Sequence, residues 1–319
     1  MTIQQIFDLA IKLGIESDLR GKAKVLKNLG RIKERYGKMS QEEKDDFDED
    51  RLKNPYLDSR VLNDTKKEVK RVLTGIDMEG PELLLAKEIG VDLVIAHHPE
   101  GKGLADLSDV MHLQAEVLAQ YGVPINIAES VLRPRISEVS RGVNAVNHNR
   151  AVDFAKLLNI GFINTHTPCD NLVARFLFDL IKKNEKKLEY VDDVLKLLRD
   201  IPEYKAAVKI EGGPTLFAGS RENSCGKIAI TEITGGTEGS PAIYEKMSQA
   251  GIGTIIGMHL SEKHKAAAEK AHINAIVAGH ISSDSLGMNL FLDELEKKGI
   301  EVIPCSGLIR VKRFKKGRK

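Results

Sequence analysis

The chain has 319 residues, 42% apolar and 29% charged, a balance that supports a buried core of one large α/β unit or two domains. Its 48 basic and 46 acidic side chains leave a net charge of +2, which excludes a bulk polyanion binder. Cys169, Cys225 and Cys305 are far apart and odd in number, which argues against a disulfide framework and for a reducing cytoplasm.

No secretory leader pattern opens the chain, and no apolar run reaches the length of a membrane span. Residues 1–55 read as a charged helical extension or lid. Ile6, Leu9, Ile11 and Leu13 mark its amphipathic start, and residues 42–50 are dense in carboxylates. Alternation of strands and helices then begins, in a first α/β half over 56–200. Residues 68–77 read as a strand and 81–89 as a helix with Pro81 at a favoured first position. The apolar run from Val91 leads straight into His97, His98 and Pro99, so it reads as a buried strand that ends on two histidines. Helices are expected over 113–121 and 147–158, with strands over 124–128 and 160–165. The second of these strands ends in His166-Thr-Pro-Cys-Asp170. Residues 171–199 read as mostly helix, with a junction at 182–187.

The second half spans 201–319. Strands are expected over 206–210, 215–218, 227–233, 253–258, 275–279 and 301–304, with helices over 241–250, 261–271 and 284–298. The fold class is therefore α/β, with largely parallel sheets flanked by helices. The last ten residues hold a basic tail, a candidate for contact with nucleic acid.

Histidines recur at strand ends: His97 and His98, His166, His259 and His280. In a parallel sheet such ends share one edge, where α/β folds place their ligands. Asp170 and Asp284 each follow a histidine by four residues. Either carboxylate is a candidate ligand; the alternatives are an Asx turn for Asp170 and a helix cap for Asp284. The set offers nitrogen and oxygen donors without a thiolate pattern, which suits Zn, Mn, Fe(II) or Ni. The loop with Gly235, Gly236, Gly239 and Ser240 reads either as an anion cradle or as a tight strand-to-helix turn, and Glu238 inside it opposes a phosphate. Cys169 lacks a base in sequence and reads as a small packed side chain.

Taken together, His97-His98-Pro99, His166-Thr-Pro-Cys-Asp170 and Gly279-His280 with an acid four residues on resemble the Nif-three-like dinuclear metal family. Some of its members are labelled GTP cyclohydrolase type 2 homologues. The resemblance covers about residues 56 to 310 and includes Val72–Asp77 and Gly235–Ser240 as supporting stretches. It implies two divalent metal ions held by His97, His98, Asp170, His280 and Asp284, in a cleft between two related α/β halves. It also implies a ring-shaped homohexamer, but no secure reaction. The family usually has glutamate where Asp284 stands, and apolar residues where Glu100 follows the His-His-Pro. Its members have a shorter N-terminal segment. Three functions compete. One is a metal-dependent hydrolase of a phosphoester or nucleotide-like substrate, with His166 or His259 as proton shuttle and Glu100 as base. The second is a non-catalytic metal-binding scaffold or regulatory partner. The third is nucleic-acid binding through the basic tail and the lumen of a ring.

Overall fold

The structure is a computed structural model and describes residues 1–314. Nine strands form two sheets among those residues. The first has the order β1 (Arg60–Asn63), β4 (Gly161–Asn164), β3 (Leu93–Ala96), β2 (Arg71–Gly75), β9 (Glu301–Pro304). Only β1 is antiparallel, against β4. The second sheet has the order β5 (Thr215–Ala218), β8 (Asn274–Val277), β7 (Ile252–Gly257), β6 (Lys227–Ile230), and only β5 is antiparallel. The fold is α/β with two mainly parallel sheets. The first four strands of each sheet repeat one order and one polarity. The last strand, β9, returns to the first sheet beside β2.

β3 is buried along its whole length, which is why its sequence is a continuous apolar run. Two long helices lie under the strand ends. His166–Asn184 leaves β4, and His280–Lys297 leaves β8. They cross where Gly287 meets the Cys169 carbonyl; a Cβ at Gly287 would lie 2.3 Å from that oxygen. The first helix, Ile3–Ser17, opens on a capping box between Thr2 and Gln5. It buries Ile3, Ile6 and Ala10 in one cluster with Leu93, Ile95, Met288 and Phe291, so it covers the first sheet.

Several expected elements differ. Residues 124–128 are no strand: they open the helix Ile125–Asn144, in which Ala128, Leu132 and Val139 are buried at helical spacing. Residues 206–210 are no strand either. The helix Pro202–Val208 begins on a proline, and its Tyr204 and Ala207 share a buried face. The helix expected from 171 begins at His166, and the one expected from 284 begins at His280. The junction at 182–187 is the end of one helix and the single 3-10 turn Glu185–Lys187. No helix among the described residues is long and apolar enough to cross a membrane.

Of the basic tail, Arg310, Lys312 and Arg313 are engaged. Arg310 pairs with Asp293 and Glu296, Lys312 with Glu296, and Arg313 with Glu203. The rest of the tail, 315–319, lies outside the described residues.

Candidate metal centre

The carboxyl ends of β3, β4 and β8 bring their histidines to one place. His97 and His98 leave β3, and their N–H groups still donate to the carbonyls of Gly75 and Ile76 at 3.0 Å. His166 and His280 each open a helix, and Asp170 and Asp284 stand one turn further on the same face. The expected ligands therefore come from both sheets and converge.

The distances are close. His97 Nε2 lies 3.3 Å from Asp170 Oδ1 and 3.4 Å from Asp284 Oδ1. Asp284 Oδ2 lies 3.4 Å from His98 Nε2 and 3.5 Å from His280 Nε2. His166 Nε2 is 3.8 Å from Asp170 Oδ2. Two groupings of donor atoms share His97: one with His98 and Asp284, the other with His166 and Asp170.

These contacts are not ordinary hydrogen bonds. Both ring nitrogens of His97, both oxygens of Asp284 and Oδ1 of Asp170 are buried without a hydrogen-bond partner. Orphaned polar atoms of this kind are rare in a folded interior. Two donors each about 2.1 Å from one ion at a tetrahedral angle lie about 3.4 Å apart, the spacing seen here. The residues present thus fit a divalent cation, in either of the two groupings that contain His97.

Two carboxylates orient the imidazoles from behind. Asp77 Oδ1 is 2.6 Å from His98 Nδ1, and Asp58 Oδ2 is 2.7 Å from His166 Nδ1. Such partners fix the tautomer and leave Nε2 aimed inward. Asp58 is itself held by Thr167 Oγ1, which donates to it at 2.6 Å. Sequence reasoning missed both carboxylates; Asp77 carries a faint signal, since it follows a strand end as the histidines do. Asp58 carries none, because it lies 108 residues before His166 in an irregular segment.

Burial would lower the basicity of His97 and His166, but facing carboxylates outweigh it and raise both. Burial would likewise push Asp284 up, yet His97, His98 and His280 hold its carboxyl far below the usual range. His259 and His280 move down, through burial and neighbouring imidazoles. Burial pushes the Cys169 thiol up, consistent with a packed, unreactive side chain.

His259 joins the rim, its ring centre 4.9 Å from that of His280. The His98 and His280 side chains are 26% and 40% exposed, so the cluster opens to solvent on their side. Glu100 stands near this opening but outside both donor groupings. Burial and repulsion from Glu79 and Asp77, partly offset by Arg150 and His98, push its carboxyl up to about 7.

The glycine loop is packed, not open. Gln114 donates to the carbonyls of Gly235 and Thr237, and a Cβ on Gly236 would meet the Leu107 carbonyl at 3.1 Å. A Cβ on Gly239 would meet Gln114 Oε1 at 2.6 Å, and the buried Ser240 closes the loop. Glu232 precedes these glycines and Glu238 lies among them, so the loop brings two carboxyl groups together.

No family profile and no curated protein matches the chain. Solved structures do. A NIF3 superfamily protein from Sphaerobacter thermophilus is 30% identical, with 79% of this chain and 92% of that one covered and a TM-score of 0.74. Reduced HcgD from Methanocaldococcus jannaschii is 16% identical over 77% of this chain and 87% of that one, at a TM-score of 0.50, a likeness of fold alone.

Proposed function

The chain belongs to the NIF3 superfamily, and from that premise we propose that it is a metal-dependent hydrolase with a dinuclear centre. Its substrate is a small anion of the phosphoester or nucleotide class. The observation that carries this reading is the set of buried, unpartnered donor atoms on His97, Asp170 and Asp284. His97, His98, Asp170, His280 and Asp284 are the ligands. Asp284, with one oxygen toward His97 and the other toward His98 and His280, would be the carboxylate shared between the ions. Two divalent ions so held would supply Lewis acidity and a water of lowered pKa.

The chain's own groups supply the rest. His259 and His280 favour the neutral form, so His259 at the rim is ready to accept a proton. Asp58 holds His166 with Nε2 inward, where it moves a proton along the buried side. Glu100 is poised between its two protonation states near neutral pH, as a base at the mouth requires.

The test is metal analysis of the purified full-length protein, then a panel of phosphoesters and nucleotides with the metal restored. We expect two divalent ions per chain and turnover of at least one substrate class. Asp284→Ala should lose both. Full metal content in Asp284→Ala would remove the bridge from the reading. Two metals with no turnover across the panel would replace the hydrolase by a metal-binding scaffold. The homohexamer belongs to the same proposal. A light-scattering mass near 35.2 kDa, that of one chain, would count against it.

A further inference from the structure

A second cluster of donor side chains lies outside the centre described above. Glu232 follows β6, Glu238 stands in the glycine loop, and His264 lies in the helix Glu262–Lys270. Their donor atoms all lie within 4.8 Å of one another. β6 holds in the second sheet the place that β2 holds in the first. Glu232 thus leaves its strand where Asp77 leaves β2.

The cluster is enclosed. The His264 side chain is 3% exposed and that of Glu232 10%. His264 Nε2 lies 3.2 Å from the Gly239 carbonyl, an acceptor only, so this nitrogen carries the proton. The Nδ1 lone pair then faces Glu232 Oε1 at 3.6 Å, with the Tyr244 hydroxyl at 3.4 Å beside it. That hydroxyl donates to Nδ1, and no hydrogen bond joins Nδ1 to the Glu232 carboxyl. Glu238 Oε2 lies 3.7 Å from Nε2, beside the N–H that meets the Gly239 carbonyl. One oxygen of each carboxylate takes a backbone N–H: Gly239 donates to Glu232 at 3.1 Å and Ser261 to Glu238 at 2.7 Å. The other oxygen of each takes no hydrogen bond from any described residue. Among the described residues neither carboxylate has a Lys or Arg partner. Arg135 gives its Nε to the Glu238 backbone carbonyl instead. Burial and the charge of Glu238 push the Glu232 carboxyl up to about 8. Glu232 and Glu238 are 10% and 17% exposed and paired with no Lys or Arg at salt-bridge distance, so a bound cation would offset their repulsion.

We propose that Glu232, Glu238 and His264 form a separate site for one divalent cation of the zinc and manganese class. Two carboxylates and one imidazole supply the donor set such ions take, and the carboxylates balance the charge. The Nε2–H bond to the Gly239 carbonyl is the outer contact that orients a ligating imidazole. The glycine loop therefore organises a cation site.

The test uses the full-length protein with Asp284→Ala, so that the bridge of the main centre is gone. It is stripped with a chelator, given Zn2+ alone and freed of excess. Zinc per chain and the thermal midpoint are then compared with the same protein carrying Glu232→Gln as well. The amide keeps the shape and the Gly239 contact and removes the charge. We expect the second protein to hold one zinc fewer per chain and to lose the zinc-induced rise in midpoint. Its metal-free midpoint should be no lower than the parent's, which shows that it folds. Glu238→Gln in the same background should give the same loss. Equal zinc in parent and variants overturns the proposal, as does a parent that takes up no zinc. The readout is a difference measured without the main bridge, so its failure leaves the dinuclear reading standing, and the reverse holds too.

Discussion

Asp284 takes its role from its place. The sequence leaves it between metal ligand and helix cap, because a start near 284 puts it in a capping position. The helix begins one turn earlier, at His280, and the Asp284 carboxylate is fully buried among three imidazoles. The same imidazoles give the metal-free protein a pH signature. His97 and His166 have folded-state basicities raised above the ordinary 6.5. Each adds stability that is fully present below pH 6.5 and is lost as pH rises through the folded value. His259 and His280 are lowered, so their contribution has the opposite sense and falls away below pH 6.5. Above pH 6.5 the raised pair governs. With chelator present, the thermal midpoint should fall as pH rises from 6.5 to 9. Asp284→Asn should shrink that fall, because it removes the first of the charges that raise His97. Metal loading should also remove it, since ligation requires neutral imidazole in any case. A midpoint that climbs with pH in the metal-free protein would contradict the assignment.

At the scale of the element, the strand ends were legible and several helices were not. β3 announces itself because a strand buried on both faces needs an unbroken apolar run, and Pro99 punctuates it. The stretch at 124–128 misleads because five residues are too few to separate a period of 2 from one of 3.6. Only over 20 residues does the helical face of Ala128, Leu132 and Val139 emerge. The helix His166–Asn184 starts five residues before the expected 171, with Pro168 in its first turn, where no N–H is required. Helix placement also explains Gly287. Its missing Cβ lets the two ligand-bearing helices touch, with Val173 Cγ2 at 2.8 Å and the Cys169 carbonyl closer still. Backbone cannot yield as a flexible side chain can. Gly287→Ala should destabilise the fold by about 1–3 kcal/mol through overpacking, despite the better helix propensity of alanine. It should also weaken metal binding, because the helices carry Asp170 and Asp284. Denaturant midpoints and metal titrations of the variant check both effects.

At the scale of the whole molecule, the chain is one pattern used twice. The orders β1-β4-β3-β2 and β5-β8-β7-β6 are the same, and β4 and β8 each run into His-x-x-x-Asp at a helix start. No short tandem repeat betrays this, because the two copies share chemistry at strand ends and little else. What closes the pattern is the return of the chain to the first sheet. After β9 the segment to Arg313 lies against His280–Lys297, pinned by charge. The Arg310 side chain is 8% exposed and lies between Asp293 and Glu296, with Asn289 Oδ1 at 3.1 Å. Arg313 reaches the fully buried Glu203, whose other contact is the Asn289 amide at 2.7 Å. The Arg310 guanidinium ties this segment to a helix that carries two candidate ligands, and that of Arg313 ties it to the helix Pro202–Val208. Replacing Arg310 with Ala would leave Asp293 and Glu296 buried with only Lys312 to answer them. Breaking a buried pair from one side is expected to cost about 3–5 kcal/mol. Arg310→Lys should recover only part of this, because an ammonium lacks the planar fork that meets both carboxylates at once. Adding Asp293→Asn to Arg310→Ala should also recover part, since it removes one stranded charge. Thermal midpoints of the three variants separate this clamp from a solvated tail, for which all three would melt with the parent.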